Sequence, residues 1–568
     1  MAKGFVPLWH RFLGILVRSS HQGSGFQERP LFSQRFRNFS RIPRLDPHLM
    51  SNKSQDHVHR LIRAMSSQEK RYFKLFIART ANQGHNNHQV LFDAISEQEE
   101  YDESVLLSRF KEEAFTHRFA ITKRRLYEAI LRSLDAFHAE HSVDARLGRI
   151  LHQVRILYDK ALYDDAAKML HSAIRVARQH DRHHALLAAL EWERRLAEQD
   201  NYGQVGLAEV ERLGSIATAL REDLAELDGL WDIKSRLFLS LYRTGQVRSQ
   251  RMRQAVDDVL ADPLLQEAGS SRTARARYLR HHIRGAAAFA MGDLEGCRTH
   301  LAHNHVLLDQ ERERFLNEPN LVLSVLGNLA YVCAALGRFS EAFDRLKDFR
   351  QAPAVWEMAE NEDLDLKLFA TSMSLELGIH LRMGRPDLAL SLVPSIDRGL
   401  SRYGARLGAL RRASFQYQLA YTHFLMGKHD QALRWNNALL DGIVSDDGSD
   451  LAVAGRCLYL VLLFETGKRD LIPYALRNME RYLQSRDRVH RFEPMLMNLV
   501  RNLCKSTPEM GRRPEERFRD ALIPLLEDPF ERAALEQFDA MSWVQARMEG
   551  RPLQAVVQER AERGTRAA

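Results

Sequence analysis

Chemistry in this chain would have to come from its histidines and arginines, because the common catalytic signatures are missing. Histidines number 24, and two tracts gather them: QHDRHH at 179–184 and HLAHNH at 300–305. His180 and His184 are four residues apart, which puts both imidazoles on one face of a helix. A metal site needs a third ligand and hydrogen-bonded support behind the first shell. Neither tract shows these, and there is no H-E-x-x-H, so these histidines are read as solvated surface residues. G-x-x-x-x-G-K-[ST], G-x-S-x-G and G-x-G-x-x-G after a strand do not occur. GSG at 23–25 has no strand before it. The chain is therefore read as non-catalytic, with no metal and no cofactor.

Two basic stretches offer binding chemistry instead. In SRTARARYLRHHIRG (271–285), Arg277, Arg280 and Arg284 share one helical face. In DRGLSRYGAR (397–406), Arg398, Arg402 and Arg406 form an i, i+4, i+8 stripe if the segment is helical, although Gly399 and Gly404 weaken it. Guanidinium groups in such rows suit an acidic peptide or a phosphate. The competing reading is a solvated face laced with ion pairs. Nucleic acid is disfavoured, because only Tyr278 and Tyr403 interleave these arginines.

The charge of the whole chain says little about partners. Residues 1–50 carry eight Lys and Arg against Glu28 and Asp46, which accounts for six of the eight net positive charges. The rest is nearly neutral, so the high isoelectric point is no argument for nucleic-acid binding by it. The basic, acid-poor leader fits a disordered segment, a false start ahead of Met50, a transit peptide or a basic arm. Cys297, Cys333, Cys457 and Cys504 are scattered, with no C-x-x-C, and read as packing residues in a reducing compartment. The longest apolar run, LAVAGRCLYLVLLF (451–464), is too short for a membrane span and contains Arg456.

The elements that must position these side chains declare themselves through a repeat. LMGKHDQAL (425–433) has counterparts along most of the chain, among them MGDLEGC (291–297), LGRFSEA (336–342), MGRPDLA (383–389) and EGRPLQA (549–555). The hinge residues are Ala161, Gly203, Gly245, Gly292, Gly337, Gly384, Gly427, Gly467, Gly511 and Gly550, spaced by 39–47 residues. Glycine ends one helix because it takes the left-handed conformation without steric cost. An acid or Ser three residues later (Asp164, Glu295, Ser340, Asp387, Asp430, Asp470) caps or complements the start of the next helix. Two residues further on, a small side chain lets the pair cross closely: Ala342 opposite Ala330, Ala432 opposite Ala420, Cys297 opposite Gly285.

LxxLAxxCxxxGRFSEAFxxL (326–346) and QLAYTHFLMGKHDQAL (418–433) resemble the tetratricopeptide repeat superfamily. Leu326, the Leu329–Ala330 pair, Phe339, Ala342 and Leu346 carry the likeness. These repeats are longer than that family's, and HEAT-like or other helical-hairpin solenoids share the period. The expected fold is all-α: a right-handed α-solenoid of about ten helical hairpins over 146–568, ending in capping helices and preceded by a small helical module over 51–145. Helices in that module are expected at 56–79, 88–98, 103–114 and 119–140, with a cap or bend at Ser66–Ser67.

Solenoid surfaces bind extended peptides or helices of partner proteins. The expected function is a cytoplasmic, non-catalytic protein-interaction or scaffold protein whose partner is a protein or peptide of acidic character. The alternative is a regulator whose array senses a peptide while residues 51–145 bind DNA, with Arg124 and Arg125 at the polar margin of the last helix. Against that alternative, YDESVLLSRFKEE opens on acids, a poor start for a helix entering a groove.

Overall fold

A computed structural model describes residues 56–80, 87–138, 142–203, 205–244, 247, 250–266, 271–316, 318–358, 361–442, 450–484, 491–505, 513–528, 531, 535 and 537–566. The leader and the hinges at Gly245 and Gly511 lie outside these residues. Every regular element among the described residues is a helix. The chain divides into two units, one over Gly23–Gly206 and one holding Leu207–Ala568.

The first unit opens with α1 (His57–Ala64), α2 (Ser67–Thr80), α3 (Asn87–Glu97), α4 (Glu103–Arg109) and α5 (Phe119–His138). The helix expected over 56–79 is two helices. Met65 is extended, and Ser66 and Glu69 form a reciprocal cap. The Ser66 N–H donates to Glu69 Oε2 at 2.6 Å, and the Glu69 N–H donates to Ser66 Oγ at 3.2 Å. Val58, Phe73, Phe92, Leu106, Leu126 and Ile130 fill the core between the helices.

One lysine ties this module together. Lys123 on α5 places its Nζ 2.7 Å from Asp56, the cap of α1, and 2.8 Å from Glu103, which opens α4. It also donates to the Tyr101 hydroxyl at 3.0 Å. Burial pushes the Asp56 carboxyl up, but the Lys123 hydrogen bond and the His59 N–H outweigh it and hold the group below the usual carboxylate range.

The same unit continues with α6 (Val143–Asp159), α7 (Tyr163–Gln179) and α8 (His183–Gln199). Ala161 is the hinge between α6 and α7 and is left-handed at φ 59°. A hinge that the repeat pattern did not suggest lies at Asp181, φ 53°, between α7 and α8. The expected hinge at Gly203 is displaced: Asn201 and Tyr202 carry the positive φ values, 47° and 61°. Asp and Asn tolerate this region better than most side chains, so a search for glycine misses such turns.

The second unit begins with α9 (Leu207–Thr244), one unbroken helix of 38 residues, about 57 Å long. Hinges at Gly203 and Gly245 imply two helices between them. The segment has no proline, and Gly214 and Gly229 cost a helix interior only about 1 kcal/mol each, so nothing breaks it. Gly229 has a use: a Cβ there would lie 2.5 Å from Leu264 Cδ1.

Next come α10 (Gln250–Leu260), α11 (Ala274–Ala290), α12 (Leu294–Gln310), α13 (Pro319–Ala335), α14 (Phe339–Val355) and α15 (Glu362–Arg382). They are followed by α16 (Pro386–Ser391), α17 (Val393–Tyr403), α18 (Ala409–Leu425), α19 (His429–Gly442) and α20 (Asp450–Glu465). The chain ends with α21 (Ile472–Gln484), α22 (Phe492–Lys505), α23 (Arg513–Glu527), α24 (Ala540–Glu549) and α25 (Leu553–Arg566). The hinges at Gly292, Gly337, Gly384, Gly427, Gly467 and Gly550 all have positive φ. At each, the residue after the glycine donates to the carbonyl five positions back at 2.8–3.0 Å. This bond satisfies a carbonyl the helix end would otherwise leave open. The acids of the following first turns mostly complement the helix start electrostatically; a side-chain cap is seen from Asp293 to the Gly296 N–H at 2.9 Å.

Three first helices of the second unit are enclosed. In α13 every residue from Val322 to Ala334 is buried, and α18 and α20 are nearly as covered. Apolar side chains surround these helices on all sides, as enclosure requires. Some of their polar groups are paired: Ser374 Oγ of α15 donates to Gln418 Oε1 of α18 at 2.9 Å, and Asn436 Nδ2 of α19 donates to the Gly455 carbonyl of α20 at 3.0 Å. The small residues sit where expected, with Ala330, Ala342, Ala420 and Ala432 fully buried. Cys297 and Cys333 are buried in neighbouring hairpins and Cys457 in a later one, and burial pushes the first two thiols up to about 12.

Two stability measurements check this packing. Ala342→Leu is expected to overpack the α13–α14 crossing and lower stability by about 1–3 kcal/mol in urea melts. Lys123→Ala leaves Asp56 without its cation and is expected to cost about 3 kcal/mol; loss well under 1 kcal/mol would show the cluster to be incidental.

Candidate interaction surface

The sequence singled out two rows of arginine, and the fold separates them by role. Arg280 on α11 is 7% exposed and donates to Glu226 of α9 at 2.9 Å; Glu226 also accepts from Ser271 Oγ at 2.5 Å. Arg284 donates to the Leu265 carbonyl in the single turn Pro263–Gln266. Arg277 reaches Glu311 at 2.7 Å, beyond the end of α12. The shared face is real, but Arg280 and Arg284 are spent on fastening α11 to its neighbours. Their partners, the Glu226 carboxylate for Arg280 and the Leu265 carbonyl for Arg284, lie 54 and 19 residues away, beyond the reach of periodicity.

The second row is broken by Gly404. This residue, at φ 48°, ends α17, and Arg406 falls in a separate 3-10 turn, Gly404–Leu407, where it pairs with Glu362. Arg398 and Arg402 stay exposed on α17. Arg398 donates to Ser395 Oγ at 3.1 Å, and Arg402 stands 5.2 Å from the Tyr403 ring centre. In the N-terminal module, Arg124 of α5 pairs with Glu128 at 3.0 Å.

The histidine tracts are also rearranged. His180 and His184 do not share a helical face, because the Asp181 hinge falls between them. The HLAHNH tract meets a histidine from the other basic stretch. His281 of α11 puts its Nδ1 3.2 Å from His300 Nδ1 and stacks on His303 with ring centres 4.8 Å apart. Burial, with the neighbouring His303, His300 and Arg284, pushes His281 down to about 4. Burial with Lys234 and Arg275 does the same to His282. No group of three His, Cys, Asp or Glu among the described residues is placed to hold a metal ion.

What the sequence did not show is a pair of open grooves flanking α12. One, about 510 Å³, runs between α12 and α14 over a floor of Leu326 and Leu329 from α13. Its walls carry His305, Asp309, Arg345 and Asp348 and end at Val355 and Trp356. Arg345 bonds Asp348 at 3.1 Å and His305 at 2.9 Å, which fixes the polar wall. The other groove, about 460 Å³, is lined by Arg277, His281, Arg298, Thr299, His303 and Gln310 and has no carboxylate in its lining. Val306 lines both, and Val306 and Val355 are 53% and 52% exposed.

No protein-family model, curated protein or solved structure matches this chain. Among the described residues, no helix is long and apolar enough to cross a membrane.

The histidines give a pH dependence. An unfolded imidazole takes its proton near pH 6.5, whereas folded His281 and His282 take theirs only near 4. Between these values the unfolded chain binds more protons, so stability falls as pH is lowered from about 6.5 toward 4. Urea melts across this window are expected to show that slope, and His282→Phe to flatten it.

Proposed function

We propose that this chain is a non-catalytic protein-interaction or scaffold protein. In this reading it is a right-handed, tetratricopeptide-like solenoid that takes a peptide or helix of a partner protein on the outer face of its hairpins. The observation that supports this is the pair of grooves meeting at Val306, with apolar floor and rim and with polar side chains already fixed by one another. A peptide laid over α12 buries Val306 and Val355 and brings acidic side chains to His303 and to Arg277 and Arg298, guanidinium groups that Glu311, and Glu295 with Glu341, already hold in place. The enclosed first helices leave the second helices as the surface on which a partner can be read.

The test is a photo-crosslinking residue at Val306 in the source cells, followed by binding measurements with the purified captured partner. Val306→Asp is expected to weaken binding at least tenfold, about 1.4 kcal/mol, while Leu471→Asp, at an exposed apolar position elsewhere, leaves it unchanged. Equal loss in both variants, or no crosslink above that from position 471, would count against the reading.

A further inference from the structure

Gly404 breaks the basic row of α17, yet the turn it makes brings two further arginines to the same corner. Arg412, in the first turn of α18, donates from Nη2 to the Gly404 carbonyl at 2.5 Å, two residues past Arg402. Arg398, Arg402 and Arg412 are exposed. Arg411 is half-buried, and its Nε is buried with no hydrogen-bond partner among the described residues. Burial holds this guanidinium below its usual range, and Asp363, which opposes the shift, is already held by Lys367 at 2.5 Å.

Among the described residues none of these four arginines is ion-paired; Arg398, Arg402 and Arg412 rest on Ser395 Oγ, the Tyr403 ring and the Gly404 carbonyl. Of the five arginines at this corner, Arg406 alone has a carboxylate, that of Glu362. Asp397, the one acid of α17, precedes Arg398 and so projects about 100° round the helix from it. The helix ends do not alter the balance. The last turn of α17 carries about half a negative charge and the first turn of α18 about half a positive one, and these offset each other. α18 opens at Gly408 with no side-chain cap and no acid in its first turn. Positive charge is left over at one corner of a body that is otherwise nearly neutral.

The surroundings decide which anion fits. Binding to a nucleic-acid strand uses aromatic rings on which bases stack, and Tyr403, the ring at this corner, is only 9% exposed. A lipid surface needs apolar side chains to bury, and among the described residues between 361 and 465 no large apolar side chain is exposed. A protein segment held by charge meets neither objection. Arg398 and Arg402 are about 6 Å apart along the helix axis. That is close to the roughly 6.6 Å between alternate side chains on one face of an extended chain.

We propose that the corner where α17 meets α18 is a docking site for an extended, acidic segment of a partner protein with carboxylates at alternate positions. Arg398 and Arg402 take successive carboxylates through paired N–H groups. Arg412 takes a third beside the Gly404 turn, and Arg411 adds its charge to the field. This site is separate from the grooves beside α12 and stands whether or not a peptide binds there.

The probe is a fluorescein-labelled ten-residue peptide that alternates glutamate with serine, added to the full chain at low salt and read by fluorescence anisotropy. The chain carrying Arg398→Ala, Arg402→Ala and Arg412→Ala is expected to bind it about tenfold more weakly, or worse. A chain carrying Arg155→Ala, Arg195→Ala and Arg563→Ala loses the same charge from exposed arginines elsewhere and is expected to bind like wild type. Val306→Asp is expected to do the same, which separates this site from the grooves. If circular dichroism shows that the Arg412 variant does not fold, Arg398→Ala with Arg402→Ala serves in its place. Failure of wild type to bind the peptide overturns the proposal, as does equal loss in the two triple variants or no loss in either. Tighter binding of a ten-nucleotide single strand or of phosphatidylserine vesicles, lost in the same corner variant, also overturns it, because the occupant is then a nucleic acid or a membrane.

Discussion

A helix that is buried on nearly every face has to be surrounded, and α13, α18 and α20 of the second unit are such helices. α13 is the extreme case, buried without interruption from Val322 to Ala334. One amphipathic partner covers only part of such a helix; the hairpins before and after must close the remainder. That requirement makes the stacking obligatory and confines variation to the second helices, whose outer faces are polar. It also explains why small residues recur at the crossings: Ala330 against Ala342, and Ala420 against Ala432, set how near two backbones come.

Much of this was legible in the sequence, because the repeat is written in backbone chemistry. A glycine that must turn left-handed is visible as a glycine, and Gly292, Gly337, Gly384, Gly427, Gly467 and Gly550 all hold that conformation. Where another residue takes the same conformation, as at Asp181 and Asn201, the letter no longer reports the geometry. The long helix α9 was hidden for the opposite reason: two hinge-like sites bracket a segment in which nothing forbids helix. In the N-terminal module the cap at Ser66 was legible, but the helix expected over 103–114 stops at Arg109, and a separate 3-10 turn follows at Ala114–Arg118.

The surfaces were much less legible. Periodicity placed Arg277, Arg280 and Arg284 on one stripe, and that is where they are. Whether a stripe meets water or a neighbour's carboxylate depends on a residue such as Glu226, 54 positions from Arg280. The grooves beside α12 are likewise made by side chains from more than one helix. Their aliphatic surfaces are framed by pre-paired charges. Such charges cost little further ordering when a ligand arrives.

The three fully buried thiols have a consequence for how this molecule could be watched. Cys297, Cys333 and Cys457 sit in different hairpins, and an alkylating reagent reaches each only when its own surroundings part. Their reaction rates therefore form a natural three-channel record of opening along the chain. Identical rates would mean that the stack breathes as one body, and a gradient would mean that it unzips from one end.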